Sequence, residues 1–268
     1  MMMLRTRLSR GTTLIVGAAL FQTLVVGGTP VAQAEEAPLH IAAAADLMPV
    51  LPDLARSFTK KTGIPVRISW GASGEEAQAI RHGAPYDLFM AADRSFPDSL
   101  ARKGYLQKAS LKVYAKGILV LWVSKKTLDR AHVLPGTGVL SSVSVHRIAL
   151  ANPRLAPYGR AAMGCLRSRK LSGPLHKKLV YGNSLAQAAQ YLRTGAAQAG
   201  FLSESQAMAL GRLVPGDFVA LSPHCSPWLP QEMGIVAASK NKKSAKAFED
   251  YLLGAKAQGY LMKHGYHG

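Results

Sequence analysis

Acidic residues are scarce in this sequence of 268 residues. Aspartate and glutamate together number 15 against 33 lysines and arginines, which gives a formal net charge of +18. Such an excess of basic residues favours anionic partners or small anions. Nucleic acid is the obvious candidate, but the basic residues are scattered along the chain, and aromatic residues make up only 7% of it. Because nucleic-acid binders stack bases on aromatic side chains along a basic groove, the composition argues against nucleic-acid binding.

Cysteine is almost absent, since the chain has only Cys165 and Cys225. Neither belongs to a cluster of cysteines and histidines, so we expect no site for a metal cation. In an exported protein the oxidising surroundings would permit a disulfide between the two.

Familiar catalytic motifs are missing as well. The sequence has no phosphate-binding loop, no HExxH and no dinucleotide fingerprint. The segment Gly71-Ala72-Ser73-Gly74 is similar to a nucleophile elbow, but Glu75 stands where the elbow needs its second glycine. A secreted serine hydrolase that uses Ser73, with His82 and Asp87 as partners, remains a remote alternative. We expect neither an enzyme nor a cofactor.

The first 34 residues have the pattern of a secretory signal peptide. Three arginines precede a mostly apolar stretch from Thr12 to Val26, and Ala32-Gln33-Ala34 offers small residues for cleavage. The apolar stretch is short for a membrane span. Cleavage after Ala34 leaves 268 − 34 = 234 residues with a net charge of (33 − 3) − 15 = +15. We therefore predict an exported, soluble protein.

Beyond this leader, strand and helix patterns alternate, which is typical of an α/β fold. Four predicted helices begin directly after a strand, at Asp46, Ser73, Tyr158 and Ser184. Asp46 lies in a natural N-cap position. Ser73 with Glu76, and Ser184 with Gln187, have the spacing of a capping box.

Helix starts of this kind are suited to binding an oxyanion. The first turn of a helix has free N–H groups and a partial positive charge. In open parallel sheets, ligands bind at the carboxyl ends of the strands, where these helices begin. Two pairs of such ends, facing each other across a cleft, would surround a small anion with neutral donors.

Several short motifs follow one another along the whole mature chain. In order they are Ala42-Ala43-Ala44-Ala45-Asp46-Leu47, Ser73-Gly74, Gly83-Ala84-Pro85-Tyr86-Asp87-Leu88-Phe89, Ala92-Asp93, Lys116-Gly117-Ile118-Leu119-Val120-Leu121-Trp122, Ala151-Asn152-Pro153, Ala156-Pro157-Tyr158-Gly159, Asn183-Ser184-Leu185 and Gly200-Phe201-Leu202. As an ordered set they resemble the periplasmic molybdate-binding proteins of ABC importers.

This resemblance implies a two-lobed type II periplasmic binding fold. Each lobe would be a mostly parallel sheet flanked by helices, and two hinge segments would join the lobes. Lobe one would comprise residues 35–117 plus 233–268, and lobe two residues 118–232. The resemblance further implies a monomer in the periplasm that delivers molybdate or tungstate to an ABC permease in the inner membrane.

Carried over by motif, the residues that bind the oxyanion are Ala45, Asp46, Ser73, Tyr158 and Leu185. Ser73 would supply its hydroxyl and amide, Tyr158 its amide or phenol, and Leu185 its backbone N–H. Ser184 and Ser203 are secondary candidates, because some family members have a tyrosine where this chain has Ser203.

Asp46 departs from the family pattern, which has serine or asparagine at this position. An ionised carboxylate would repel a dianion unless it is protonated or turned away to cap its own helix. It would instead favour a protonated oxyanion by accepting its hydrogen. Other oxyanions such as sulfate and phosphate, and small organic acids, therefore remain alternatives to molybdate and tungstate.

Overall fold

The computed structural model describes residues 37–132 and 136–268. The leader predicted over residues 1–34 lies outside the described residues. Within them, no helix is both long enough and apolar enough to cross a bilayer.

Strands and helices alternate along most of the described chain, as the α/β pattern predicts. The strands are β1 (Leu39–Ala44), β2 (Val66–Gly71), β3 (Leu88–Ala91), β4 (Lys112–Gly117), β5 (Leu119–Ser124), β6 (Ile148–Ala151), β7 (Leu179–Gly182), β8 (Ala199–Ser203), β9 (Gly216–Ala220), β10 (Leu229–Ile235) and β11 (Tyr266–His267). The α-helices are α1 (Leu51–Thr62), α2 (Ser73–Arg81), α3 (Ser95–Arg102), α4 (Lys125–Ala131), α5 (Pro157–Ser168), α6 (Leu185–Arg193), α7 (Glu204–Gly211), α8 (Lys242–Leu253) and α9 (Ala255–Met262). Short 3-10 turns cover Ala45–Leu47, Lys108–Ser110, Thr137–Ser141 and His176–Lys178.

The strands form two sheets. The first has the order β11-β4-β10-β3-β1-β2, and the second has the order β7-β6-β8-β5-β9. In the first sheet β1 is parallel to both β2 and β3. In the second sheet β6 is parallel to both β7 and β8.

The prediction of mostly parallel sheets is wrong, because both sheets are mixed. In the first sheet β10 is antiparallel to β3 and β4, and β11 is antiparallel to β4. In the second sheet β5 is antiparallel to β8 and β9. Every antiparallel pair includes a strand that adjoins a passage between the sheets. A chain arriving from the other sheet needs no helical crossover, so it can enter antiparallel to its neighbour.

The chain passes between the two sheets twice. Ile118 alone separates β4 of the first sheet from β5 of the second, and the boundary predicted after residue 117 falls directly before it. Residues 221–228 form the second passage, from β9 to β10. The boundary predicted between residues 232 and 233 divides β10, which already belongs to the first sheet from Leu229 onward.

A disulfide joins Cys165 in α5 to Cys225 in the second passage, with 4.4 Å between the two Cα atoms. The bond that the sequence permitted is therefore present. It attaches the connecting segment to a helix that packs on the second sheet.

Each sheet has its own apolar core. In β1, Ile41 and Ala43 pack with Phe58 of α1 and Phe248 of α8, while Ala42 between them packs with the opposite cluster that contains Ile80 of α2. This alternation is what a strand covered on both faces requires, because successive side chains point to opposite sides. The second core is built around Val120, Leu150 and Phe201 of β5, β6 and β8, with residues of α5 and α6.

Candidate functional site

A small cavity lies where strand ends of the first sheet meet helix starts associated with the second. Its volume of about 10 Å³ is close to the space needed by one water molecule. The lining residues are Ala44, Ala45, Asp46, Gly71, Ala72, Ser73, Ala92, Ala156, Pro157, Tyr158 and Leu185. The structure thus brings all five primary candidates into the wall of one cavity.

Both secondary candidates lie outside this wall. Ser184 is the N-cap of α6, and its hydroxyl accepts a hydrogen bond from the Gln187 amide, as its capping-box spacing predicts. Ser203 caps α7 in the same way through the amide of Gln206. Each hydroxyl is therefore used to start its own helix.

Ser73 does not cap its helix, and this prediction is wrong. Ala72 is the N-cap residue of α2, and the Glu75 carboxylate accepts a hydrogen bond of 3.1 Å from the Ala72 amide. Ser73 is the first helical residue, only 1% exposed, and its Oγ accepts a hydrogen bond of 3.0 Å from the amide of Ala92. Because Glu75 satisfies the cap position, the Ser73 hydroxyl is available to the cavity.

Asp46 also differs from its predicted place, since it caps no helix. It lies within the 3-10 turn Ala45–Leu47, whose cap position is Ala44, and it is 1% exposed. Its Oδ2 accepts hydrogen bonds from Gln231 Nε2 at 2.7 Å and from the Tyr266 hydroxyl at 3.3 Å. Its Oδ1 has no hydrogen-bond partner among the described residues. Burial raises the pKa of the Asp46 carboxyl to about 7.

Gln231 connects the two sides of the cavity. Its Oε1 accepts a hydrogen bond of 2.8 Å from the Tyr114 hydroxyl, so the orientation of its amide group is fixed. Its Nε2 then donates to Asp46 Oδ2 and, at 3.0 Å, to the hydroxyl oxygen of Tyr158. All four side chains are buried.

The hydroxyl groups of Ser73 and Tyr158 are alike in one respect. Each oxygen accepts a hydrogen bond from the protein, and neither hydroxyl donates to a described residue. Each hydroxyl hydrogen therefore remains free for an acceptor. Burial also raises the pKa of the Tyr158 phenol well above its ordinary value, which keeps it a donor.

Backbone N–H groups add to these donors. Ser73, Tyr158 and Leu185 lie in the first turns of α2, α5 and α6, where the N–H groups have no partner within their helix. No lysine, arginine or histidine lines the cavity. The arrangement therefore offers several neutral donors to a small acceptor, with Asp46 as the single ionisable carboxyl.

Contacts around the cavity hold elements of the two sheets together. The Gly74 amide donates to the Leu155 carbonyl at 2.9 Å, and Gln206 Nε2 donates to the Ala45 carbonyl at 2.8 Å. Arg160 of α5 forms an ion pair with Asp93, which follows β3. The structure therefore has the cavity closed.

The residues imagined for a serine hydrolase are not assembled. His82 is exposed, and no histidine lines the cavity beside Ser73. Asp87 accepts hydrogen bonds from the amide of His40 and the hydroxyl of Ser239 in another part of the first sheet. Among the described residues, no group of three or more His, Cys, Asp or Glu side chains is placed to hold a metal ion.

Sequence reasoning missed Gln231, Tyr114 and Tyr266. Tyr114 and Tyr266 lie in β4 and β11, and Gln231 lies in β10. The available signal was the pattern of β10 itself, where Gln231 is a lone uncharged polar residue in a segment that is otherwise largely apolar. A polar residue in such a strand needs buried partners.

Two sheets joined by two passages, with a donor-lined cavity between them, define a two-lobed solute-binding protein. The chain belongs to the bacterial extracellular solute-binding protein family, whose model matches residues 39–267. This assignment supports the expectation of a binding protein rather than an enzyme.

Individual relatives are similar over most of their length. The molybdate-binding protein ModA of Azotobacter vinelandii is 35% identical over 233 residues, covering 87% of this chain and 91% of that relative. The protein of the same name from Rhodobacter capsulatus is 31% identical over 252 residues, covering 91% and 97%. A solved structure of the Azotobacter vinelandii periplasmic molybdate-binding protein superimposes with a TM-score of 0.79 at 32% identity, covering 85% of this chain and 98% of that one.

Proposed function

We propose that this protein captures molybdate or tungstate in the cavity between its two sheets and delivers the anion to an ABC permease of the inner membrane. Relatives named as molybdate-binding proteins match most of the chain, which supports this ligand class. The leader predicted over residues 1–34 would export the protein to the periplasm, where it would act as a monomer without a cofactor.

The observation that carries the proposal is the pair of free hydroxyl hydrogens at Ser73 and Tyr158. Both oxygens accept a hydrogen bond from the protein, and neither hydroxyl hydrogen has an acceptor among the described residues, so both hydroxyls can donate to a ligand. Molybdate and tungstate are small anions whose oxygens only accept. A preorganised set of neutral donors binds such an anion with little reorganisation.

Closure of the two lobes would depend on the ligand. Asp46 and Ser73 belong to elements of the first sheet, whereas Tyr158 and Leu185 begin helices of the second. A ligand that contacts both groups favours the closed form over the open one. Ile118 and residues 221–228 would then be the hinge segments.

Isothermal titration of the mature protein with molybdate, tungstate, sulfate and phosphate tests the proposal. We expect one anion per protein for molybdate and tungstate. Ser73→Ala should reduce the binding free energy by about 1–3 kcal/mol, because it removes a buried donor to the anion. Ser57→Ala, in an exposed position of α1, is the matched control and should bind like the parent. Unchanged affinity in Ser73→Ala would contradict the role of its hydroxyl.

A second candidate is another oxyanion, such as sulfate or phosphate. The observation that favours it is Asp46, whose carboxylate can accept the hydrogen of a protonated anion. A small organic acid is a further alternative, because the same neutral donors can bind a carboxylate. Binding of phosphate without molybdate in the same titrations would favour this candidate.

A further inference from the structure

Asp46 presents a charge problem for a dianion. The carboxyl lines the cavity and is 1% exposed, so solvent does not screen it. No cationic side chain lines the cavity to offset its charge. An ionised Asp46 would therefore oppose the ligand that the other lining groups attract.

Hydrogen bonds determine which carboxyl oxygen can hold a proton. Oδ2 already accepts from Gln231 Nε2, and the amide of Gln231 is held in this orientation by the hydrogen bond that its Oε1 accepts from Tyr114. The Tyr266 hydroxyl donates to the backbone carbonyl of Asp46 at 2.9 Å and lies 3.3 Å from Oδ2, on the same side of the carboxyl. Oδ1 is the oxygen without a partner among the described residues. A proton on Asp46 therefore resides on Oδ1, and the neutral acid then has an O–H donor to offer.

The titratable groups that face Asp46 are neutral phenols. Hydrogen bonds from Gln231 and Tyr266 lower the pKa of the Asp46 carboxyl, but the effect of burial outweighs them. Tyr114 of β4, Tyr158 of α5 and Tyr266 of β11 are buried phenols, and burial raises the pKa of each well above its ordinary value. Burial also raises the pKa of Asp46 itself to about 7.

Charged side chains also lie on the helices α6 and α7, which pack against the 3-10 turn Ala45–Leu47. On α7 the charged group is Glu204, which pairs with His267 of β11. On α6 the charged group is Arg193, at the C-terminal end of the helix. None of these three side chains lines the cavity.

We propose that Asp46 is a specificity-determining residue that enters the complex as the neutral acid and donates a hydrogen bond from Oδ1 to the bound oxyanion. Capture of one dianion then takes up one proton from solution. This inference rests on the proposed function, since it requires that the cavity holds the oxyanion.

Proton uptake predicts a definite pH dependence. Below the pKa of Asp46 the acid is already neutral, and affinity is independent of pH. Above it, each binding event must first protonate the carboxylate, so the dissociation constant for molybdate rises about tenfold per pH unit. Anion capture would be strongest in acidic surroundings and weaken in alkaline ones.

The test is isothermal titration of the mature protein with molybdate between about pH 6 and about pH 9, in pairs of buffers with different ionisation enthalpies. For the parent we expect proton uptake to rise with pH, approaching one proton per anion at the alkaline end of the range. Asp46→Asn places a permanent N–H donor at the cavity, because Gln231 requires the amide oxygen on its own side. This variant should bind with a dissociation constant that changes less than about twofold over the range, and without proton uptake.

The matched control is Glu249→Gln. Glu249 is a second buried carboxyl, 1% exposed, whose pKa burial raises to about 7, but it lies in α8 and does not line the cavity. This variant should retain the pH dependence and proton uptake of the parent.

Three outcomes would overturn the inference. If the parent protein binds molybdate with equal affinity at every pH, no proton is taken up on binding. Persistence of the pH dependence in Asp46→Asn would assign it to another group, such as the His267–Glu204 pair. Binding of phosphate but not of molybdate or sulfate would show an ionised Asp46 accepting a hydrogen. Absence of molybdate binding at every pH in both parent and Asp46→Asn would instead reject the proposed function itself.

Discussion

At the scale of single residues, Gln231 decides what its neighbours can offer a ligand. A side-chain amide has one acceptor and two hydrogens, and Tyr114 occupies the acceptor. The hydrogens are therefore directed to Asp46 and Tyr158. Tyr158 accepts through its oxygen, and its own hydrogen is left for the cavity. Gln231, which does not line the cavity, thus determines how Asp46 and Tyr158, which do line it, can hydrogen-bond to a ligand.

Gly117, at the end of β4, lies against the hydrogen-bond network of Gln231. Its substitution therefore tests the role of that network. A Cβ atom there would overlap the hydroxyl of Tyr158 and come within 2.6 Å of Gln231 Nε2. Gly117→Ala should therefore displace both groups and weaken molybdate binding by about tenfold or more, since one misplaced hydrogen bond to a buried charge is worth about 1.5–3 kcal/mol. Titration calorimetry measures the change.

Gly164→Ala is the control for this substitution. Gly164 lies within α5, and a Cβ atom there meets nothing within 4 Å. The alanine should leave affinity unchanged and raise the free energy of unfolding by up to about 1 kcal/mol through helix propensity. Equal affinity of the two glycine variants would show that Gly117 is not part of the site.

The residues that line the cavity could be predicted from the sequence, but the hydrogen-bond network behind them could not. Ser73, Tyr158 and Leu185 follow predicted strands, so their place at one sheet edge could be anticipated from the α/β pattern. Tyr114, Gln231 and Tyr266 come from three strands whose neighbours are distant in sequence. Their convergence depends on the strand order β11-β4-β10, which no local pattern encodes.

At the scale of elements, the start of α2 shows how neighbouring residues can exchange roles. The spacing of Ser73 and Glu76 is that of a capping box, yet Glu75 provides the side-chain hydrogen bond to Ala72, one residue earlier. Glu76 is instead buried against Gly71. Sequence spacing predicted the helix start within one residue, but this shift of one residue turns Ser73 from a cap into a cavity group.

The contact between α5 and the segment after β3 should influence closure. Arg160 pairs with Asp93 and also donates to the hydroxyl of Ser95, joining elements of the two sheets. Arg160→Gln should weaken anion affinity up to about fivefold, because a partly exposed ion pair contributes at most about 1 kcal/mol. Small-angle scattering of the variant with ligand should show a larger share of the open form.

Lys125→Gln serves for comparison. Lys125 pairs with Asp129 inside α4, so this ion pair does not join the two sheets. Its loss should leave both affinity and scattering unchanged. If Arg160→Gln and Lys125→Gln lost anion affinity equally, the loss would be due to the lower net charge and not to the ion pair between Arg160 and Asp93.

At the scale of the whole molecule, buried carboxyls make stability depend on pH, and Asp46 and Glu249 are the two with the largest shifts. Burial raises the pKa of both Asp46 and Glu249 to about 7, above their ordinary values of 3.8 and 4.5. Between those limits the folded protein keeps each proton while the unfolded chain loses it. The stability that each group contributes is therefore present at low pH and is lost as pH rises towards 7.

Urea unfolding of the ligand-free protein at about pH 5 and about pH 7 measures this effect. The free energy of unfolding of the parent, relative to that of Glu249→Gln, should fall by about 1.4 kcal/mol per pH unit in this window. The free energy of unfolding of the parent relative to that of Asp46→Asn should fall with the same slope. Relative to the double variant, the slope should be the sum of the two. A difference between parent and variants that stays constant with pH would mean that these carboxyls are ionised in the folded protein.

The general architecture was predictable, whereas the mixed pairing of the sheets was not. Alternating strand and helix patterns indicated α/β layers, and the ordered motifs resembled a two-lobed family. The antiparallel pairs arise where the chain passes from one sheet to the other. This passage is a property of the complete fold, so neither β4 nor β10 has a local pattern that reveals it.

The single residue Ile118 also limits where insertions and deletions can occur between the two sheets. Since it alone separates β4 from β5, inserting one residue there would turn every side chain of one strand to the opposite face of its sheet. Trp122 and Leu121 would exchange surroundings, and the core of the second sheet would be lost. In the second passage, residues 221–228, an insertion between Cys225 and β10 leaves both the disulfide and the strand registers in place. Evolution can therefore lengthen or shorten one connection between the lobes, whereas the other is held to a single residue.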